Sequence, residues 1–143
     1  MTCFPDVNVW IALVVGQHTN GREARDWAEE ASRDWLVLSR VTQMGLLRLL
    51  TNPIVMGRDA LIGAKAWHVV DELLDRENIG FVKEPDGIEK VWRELTPPGR
   101  IGPNFWTDAY LAAFARTTGF TLVTFDRGFS KYRDIPLKIL DGR

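Results

Sequence analysis

Short apolar runs alternate along this chain with longer amphipathic stripes, a pattern that predicts an α/β fold. Cys3-Phe4 opens a short strand that stops at Pro5-Asp6. Val7 to Val15 is apolar on nearly every side, which suits either a buried helix or a strand. Asp6 as a cap and Gly16 as a stop favour the helix. Arg22 to Arg33 carries Ala24, Trp27, Ala28 and Ala31 at helical spacing, and Trp35 to Leu38 then reads as a compact strand. Val41 to Leu50 suits a helix stopped by Asn52-Pro53. Asp59 to Arg76 is the longest helical stripe.

Ile79 to Val82 predicts another strand, and Ile88 to Leu95 a short helix closed by Pro97-Pro98. After a loop over Gly99 to Pro103, a helix is expected from Phe105 to Thr118. Phe120 to Thr124 and Leu137 to Leu140 are the last strands. About five short strands separated by helices predict a parallel, doubly wound sheet. Pro5 lacks an N–H and would disrupt a central strand, so it is expected at a strand's last residue.

Composition narrows this picture. A chain of 143 residues without repeats or linkers predicts a single domain over residues 1–143. Cys3 is the lone cysteine, which excludes an internal disulfide framework and a cysteine-built zinc site. No apolar run reaches the roughly 18 residues a membrane span needs, and MTCFPDVN is no signal peptide, so a cytosolic protein is expected. The net charge of −1 argues against electrostatic coating of nucleic acid. No GxxxxGK or GxGxxG occurs, which excludes the ATPases and dinucleotide enzymes built on those loops.

Open parallel sheets bind ligands beyond the carboxyl ends of their strands. Asp6 follows the first expected strand, Asp126 follows the Phe120–Thr124 strand, and Asp108 lies in the first turn of the helix between. Each has an ordinary structural role open to it: Asp6 as a helix cap, Asp108 at a helix dipole, Asp126 in an Asx-turn. All three nevertheless fall on the one edge where this architecture binds ligands. Clustered carboxylates repel one another, and a hard divalent cation holds them ionised together. Oxygen-only donors point to Mg²⁺ or Mn²⁺ rather than zinc.

Four segments, in this order, resemble a PIN domain: Asp6-Val7-Asn8-Val9, Arg40 to Arg48, Asp108-Ala109-Tyr110-Leu111-Ala112-Ala113, and Thr124 to Phe129. The chain is most similar to the VapC-type toxins of bacterial toxin–antitoxin pairs. The resemblance implies a Mg²⁺-dependent endoribonuclease on a five-stranded parallel sheet, leaving 5′-phosphate and 3′-hydroxyl ends. It also implies a homodimer restrained by a cognate antitoxin. Gln43 stands where the family usually carries Glu, so this chain keeps an oxygen there but loses a charge.

Metal-assisted phosphodiester hydrolysis is the expected chemistry, with Asp6, Asp108, Asp126 and Gln43 as the catalytic set. Asp6 and Asp108 are the first choices as metal ligands; Asp126 binds directly, binds through water, or orients the attacking water. Asn8 and Thr124 are expected to hold the carboxylates or substrate phosphate, their alternative being local turn bonding. Arg40, Arg48, Arg100 and Arg127 are candidates for RNA phosphates, with solvated surface as the ordinary alternative. Phe105 and Trp106 could stack an unpaired base, although packing is the commoner fate of large aromatics. Trp27 and Trp92 suit the core better than a partner groove. His18 and His68, without carboxylates at ligand spacing, are assigned no role.

Two other readings start from the same residues. A phosphatase or receiver domain would use Asp6 as a phosphoacceptor, but Asn8 replaces the second acid of the phosphatase motif and Met1-Thr2-Cys3 supplies no acidic pair for a receiver. A PIN-like binding protein without turnover, its metal site blunted by Gln43, is the reading from a different class.

Overall fold

The computed structural model describes residues 1–142. Five strands, β1 (Thr2–Pro5), β2 (Trp35–Leu38), β3 (Ile79–Phe81), β4 (Thr121–Thr124) and β5 (Leu137–Ile139), form one sheet. All the pairings are parallel, in the order β3-β2-β1-β4-β5. The chain builds outward from β1 in one direction through β2 and β3, then returns to the other side of β1 for β4 and β5. The switch point therefore lies between β1 and β4, where this architecture opens a binding crevice.

Pro5 ends β1, as expected. The pairing of β1 with β4 runs through Pro5↔Val123, and the Asp6 N–H continues it to the Val123 carbonyl at 2.8 Å. Successive residues alternate in direction, so the missing N–H of Pro5 faces β2, where the paired register has already ended at Cys3↔Leu36. Proline thus occupies a central strand without removing a ladder bond.

Seven α-helices cover the two faces: α1 (Val7–Val14), α2 (Gly21–Glu30), α3 (Arg40–Leu50), α4 (Pro53–Met56), α5 (Gly63–Leu74), α6 (Ile88–Leu95) and α7 (Phe105–Thr118). Alternate strand residues feed two cores. Cys3, Leu36, Leu38 and Val123 join Trp10, Trp27, Leu46 and Val70 on one face. Phe4, Val37 and Leu122 join Phe114, Phe129 and the alanines of α7 on the other. Ala109, Ala112, Ala113 and Ala115 are fully buried, small side chains that let α7 lie close to the sheet. Phe4 and Phe114 stack with centroids 4.4 Å apart.

The middle of the chain departs from expectation. Asn52-Pro53 starts a helix as well as ending one: Asn52 accepts the Ile54 N–H at 2.9 Å, and Pro53 occupies the first turn, where its missing N–H costs nothing. The stripe over 59–76 is a helix only from Gly63 to Leu74, because Gly57 adopts φ 58° and the Leu61 N–H bonds the Leu50 carbonyl at 2.8 Å. That bond holds the chain extended against the end of α3. The longest helix is instead α7, with 14 residues. No helix among the described residues is long and apolar enough to cross a membrane.

Candidate active site

Asp6, Asp108 and Asp126 line one cleft of about 400 Å³, together with Val7, Val41, Met44, Gly45, Arg48, Asn104, Thr107 and Leu111. The three acids reach it from the end of β1, the first turn of α7 and the loop after β4. The cleft thus sits at the switch point of the sheet.

Thr124 organises the acids. It is fully buried, and its hydroxyl donates to Asp6 Oδ2 at 2.9 Å. The Thr124 hydroxyl oxygen itself accepts from Asn8 Nδ2 at 3.2 Å and from the Asp126 backbone N–H at 3.0 Å. One donor and two acceptor positions are the full capacity of a hydroxyl, so Thr124 is saturated. The Asn8 carbonyl oxygen meanwhile accepts the Phe125 N–H at 3.3 Å, tying α1 to the end of β4. Thr124 thus orients Asp6, and Asn8 braces Thr124 and the start of the loop that carries Asp126.

The ordinary roles open to the acids are present alongside this convergence. Asp6 caps α1, its Oδ1 taking the Val7 N–H at 2.7 Å. Asp126 Oδ1 takes the Gly128 N–H at 2.8 Å in an Asx-turn. Both hydrogen-bonding jobs fix carboxylate orientation and leave lone pairs over.

The electrostatics are those of crowded acids. Burial pushes the Asp6 carboxyl above the usual range; the Thr124 and Val7 bonds pull it partly back, and the charges of Asp108 and Asp126 push it up again. Burial and then the charge of Asp126 raise Asp108, while Lys131 opposes them. Burial, followed by the charges of Asp108 and Asp126, pushes the Tyr132 phenol up to about 12, so it keeps its proton; its buried hydroxyl has no hydrogen-bond partner among the described residues.

Gln43 is not brought to this cleft. Along α3 the cleft-lining residues are Val41, Met44, Gly45 and Arg48, which share one helical face. At about 100° per residue, Gln43 points to the far side. Its amide oxygen accepts from Arg40 at 2.6 Å, and Arg40 in turn lies 4.6 Å from the Phe81 ring centroid. Gly45, on the cleft-lining face, packs closely against Val7 beside Asp6: a Cβ there would meet Val7 at 2.6 Å.

The remaining candidates divide. Arg48 lines the cleft, whereas Arg40 is held by Gln43 and Arg127 pairs with Asp141 at 3.1 Å. Arg100 lies in the loop before α7, outside the residues lining the cleft. Phe105 packs against Tyr132 under the Lys131 ammonium, so only Trp106 of that pair presents an exposed ring. Trp27 is a core residue, as expected. His68 does have a carboxylate neighbour, Glu72 at 3.0 Å one helical turn on, but both side chains are exposed and far along α5 from the acids. Asn104, Thr107, Lys131 and Tyr132 were not picked out from the sequence; only nearness in number to Asp108 and Asp126 could have pointed to them.

This fold and this acidic switch-point cleft define a class. The chain belongs to the PIN domain family, which matches residues 3–135. It is 40% identical over 140 residues to Ribonuclease VapC41 of Mycobacterium tuberculosis, covering 94% of this chain and 96% of that protein. Ribonuclease VapC29 of the same organism is 34% identical over 130 residues, covering 91% and 90%. Among solved structures, VapBC2 from Rickettsia felis bound to a DNA fragment from its promoter superimposes with a TM-score of 0.72 at 15% identity, covering 99% of this chain and 100% of that one. The sarcin–ricin loop-cleaving toxin VapC20 of M. tuberculosis gives 0.66 at 18% identity, covering 94% and 98%. The curated relatives identify a VapC ribonuclease lineage, and the structures identify the same fold.

Proposed function

We propose that this chain is the endoribonuclease toxin of a toxin–antitoxin pair, acting in the cytoplasm as a single domain on RNA phosphodiester bonds. The observation that carries the reading is the convergence of Asp6, Asp108 and Asp126 on one cleft at the β1/β4 switch point. The lineage supports it, since the relatives are named ribonucleases.

The donor set fits a hard divalent cation, Mg²⁺ or Mn²⁺, because it consists of carboxylate oxygens whose mutual repulsion a cation relieves. No three acidic, histidine or cysteine side chains among the described residues form a ready-made metal-binding group. An ion held here would therefore take one or two of the carboxylates and keep water in its other positions, a coordination that Mg²⁺ accepts. Asp6 and Asp108 would hold it, with Asp126 reaching it directly or through water. When bound, such an ion supplies charge stabilisation at the phosphoryl oxygens and a more acidic water.

The chain's own residues do the positioning. Thr124 and the Val7 N–H fix the two oxygens of Asp6. Asp126, oriented by Gly128, is placed to accept a proton from an attacking water. Arg48, which lines the same cleft, would pair with a backbone phosphate. A cognate antitoxin as inhibitor is supported by structural neighbours such as VapBC2, itself a toxin–antitoxin complex. A homodimer is supported by the family likeness and by Ile54 and Val55 of α4, which project unpacked, Ile54 being 94% exposed.

Purified, antitoxin-free protein incubated with structured RNA tests the reading. Cleavage is expected with Mg²⁺ or Mn²⁺, leaving 5′-phosphate ends, and is expected to vanish on chelation and in Asp6→Asn. Unchanged cleavage in Asp6→Asn would identify a contaminating nuclease and overturn it.

A further inference from the structure

A second hollow adjoins the acidic cleft. It measures about 420 Å³ and is lined by Val41, Glu84, Trp92, Trp106, Thr107 and Tyr110. Val41 and Thr107 belong to both walls, so the two recesses are continuous. Anything lying across the acids and running toward α6 passes into this hollow.

Its chemistry differs from that of the cleft. No lysine or arginine lines it, so it has nothing to hold a phosphate. Its walls are aromatic, and their orientation is fixed. Trp92 Nε1 donates to the Trp106 carbonyl at 3.0 Å, and the Trp92 ring meets Trp106 and Tyr110 edge-on at 6.2 and 5.3 Å. Trp106 remains 51% exposed in the first turn of α7, two residues before Asp108. The one ionisable acceptor is Glu84, whose Oε1 takes the Tyr110 hydroxyl at 2.7 Å and whose other oxygen is left to accept.

We infer that this hollow is a base-binding subsite, in which an unpaired nucleobase next to the scissile phosphate stacks on Trp106 and donates N–H bonds to Glu84. A flat aromatic face beside a phosphate-handling site is the arrangement single-stranded nucleic acid uses, since every base has a π-face. An acceptor-only carboxylate then selects among bases. Guanine offers two adjacent donors on its Watson–Crick edge, whereas uracil offers one N–H between two carbonyls that a carboxylate repels. The subsite thus favours guanine. The inference rests on the ribonuclease reading, and neither Trp106 nor Glu84 is among the residues that line the acidic cleft.

Cleavage of an oligoribonucleotide pool randomised around one scissile bond, sequenced at single-nucleotide resolution, tests it with the wild type, Trp106→Ala, Trp106→Phe and Glu84→Gln. The wild type is expected to select guanosine at one flanking position. Trp106→Ala should cut the preferred sequence about tenfold more slowly. It should cut a substrate with an abasic unit at that position as fast as the wild type does, and Trp106→Phe, which keeps a flat ring, should retain most selection. Glu84→Gln should weaken the preference for guanosine over uridine. Identical base selection in the wild type and Trp106→Ala overturns the inference, as does an equal rate loss on the abasic substrate. So does a Trp106→Ala protein that keeps its base selection and fails only to bind a partner protein, since the hollow is then a protein dock. Wild-type protein that cuts no RNA overturns the nuclease reading. In that event affinity for labelled guanosine and abasic oligonucleotides decides the subsite: equal affinities remove it, and a preference for guanosine that Trp106→Ala abolishes sustains it.

Discussion

The hydroxyl of Thr124 donates to the carboxylate of Asp6 at 2.9 Å, joining residues 118 positions apart in the chain. Because the same oxygen also accepts from Asn8 and from the Asp126 backbone, it is the one atom bonded both to the acid after β1 and to the loop that carries the acid after β4. Replacing it with an apolar group of the same shape isolates its contribution. Thr124→Val should lower stability by about 1–3 kcal/mol, because buried partners lose their bonds without a change in volume. RNA cleavage should fall at least tenfold, read beside a denaturant titration. Full activity would show that the acids need no such support.

Asp108 should show a stability cost carried for function. Burial and the charge of Asp126 both disfavour its ionised form. Asp108→Asn removes that charge and should raise the thermal midpoint at neutral pH while cleavage is lost. Added Mg²⁺ should stabilise the wild type by mass action and stabilise Asp108→Asn less. Calorimetry with and without the ion measures both effects.

The pH dependence follows from the same crowding, with a definite sign. Asp6 and Asp108 both have carboxyls raised above their ordinary values, so the folded protein holds protons that the unfolded chain has released. Their contribution to stability is present below the ordinary carboxylate range and is lost as pH rises through the raised values. Activity should run the other way, because ionised acids are the working form. At limiting Mg²⁺ the cleavage rate should climb as these acids ionise, and saturating Mg²⁺ should move that limb to lower pH because the ion competes with protons. Asp108→Asn should move the Asp6 inflection of the melting-versus-pH curve to lower pH.

Gln43→Glu should not enhance catalysis. The side chain points away from the cleft toward Arg40, so a carboxylate there would strengthen that pair and leave cleavage within about twofold. Single-turnover rates check this directly. A large gain would mean that α3 rotates in the working enzyme.

Gly45 marks the opposite face of that helix. Gly45→Ala would drive a methyl into Val7, the residue next to Asp6, at a contact of 2.6 Å. Overpacking of this kind costs about 1–3 kcal/mol, and it should reduce cleavage as well as the denaturation midpoint.

The parts of this site that were legible in the sequence are those fixed by strand ends. Asp6 and Asp126 follow short apolar runs, and Asp108 opens an unmistakable helix, so topology alone sends all three to one edge. Gln43 shows where that logic fails. A motif alignment gives a position along α3, but the cleft is met by Val41, Met44, Gly45 and Arg48, and a shift of one or two residues turns a side chain by about 100° or 200°. The arginines show a second limit. Arg127 finds Asp141 through a tertiary contact that no local pattern announces, and Arg40 turns to Gln43 three residues on along α3, leaving Arg48 at the cleft. The hollow between α6 and α7 is likewise a product of packing, because Trp92 and Trp106 become one surface only when the helices meet. The helix misjudged over 59–76 has a similar cause: a single long-range bond from Leu61 to Leu50 outweighs a good local stripe.

Thr124 and Asp126 reach the ribosome exit long after Asp6. A nascent chain stopped before β4 holds Asp6 and Asp108, but it lacks the hydroxyl that fixes Asp6 and the third acid of the cleft. The cleft is therefore complete only once β4 and the loop after it are in place. Strand order thus makes the first acid of the site wait on the fourth strand for the hydroxyl that orients it.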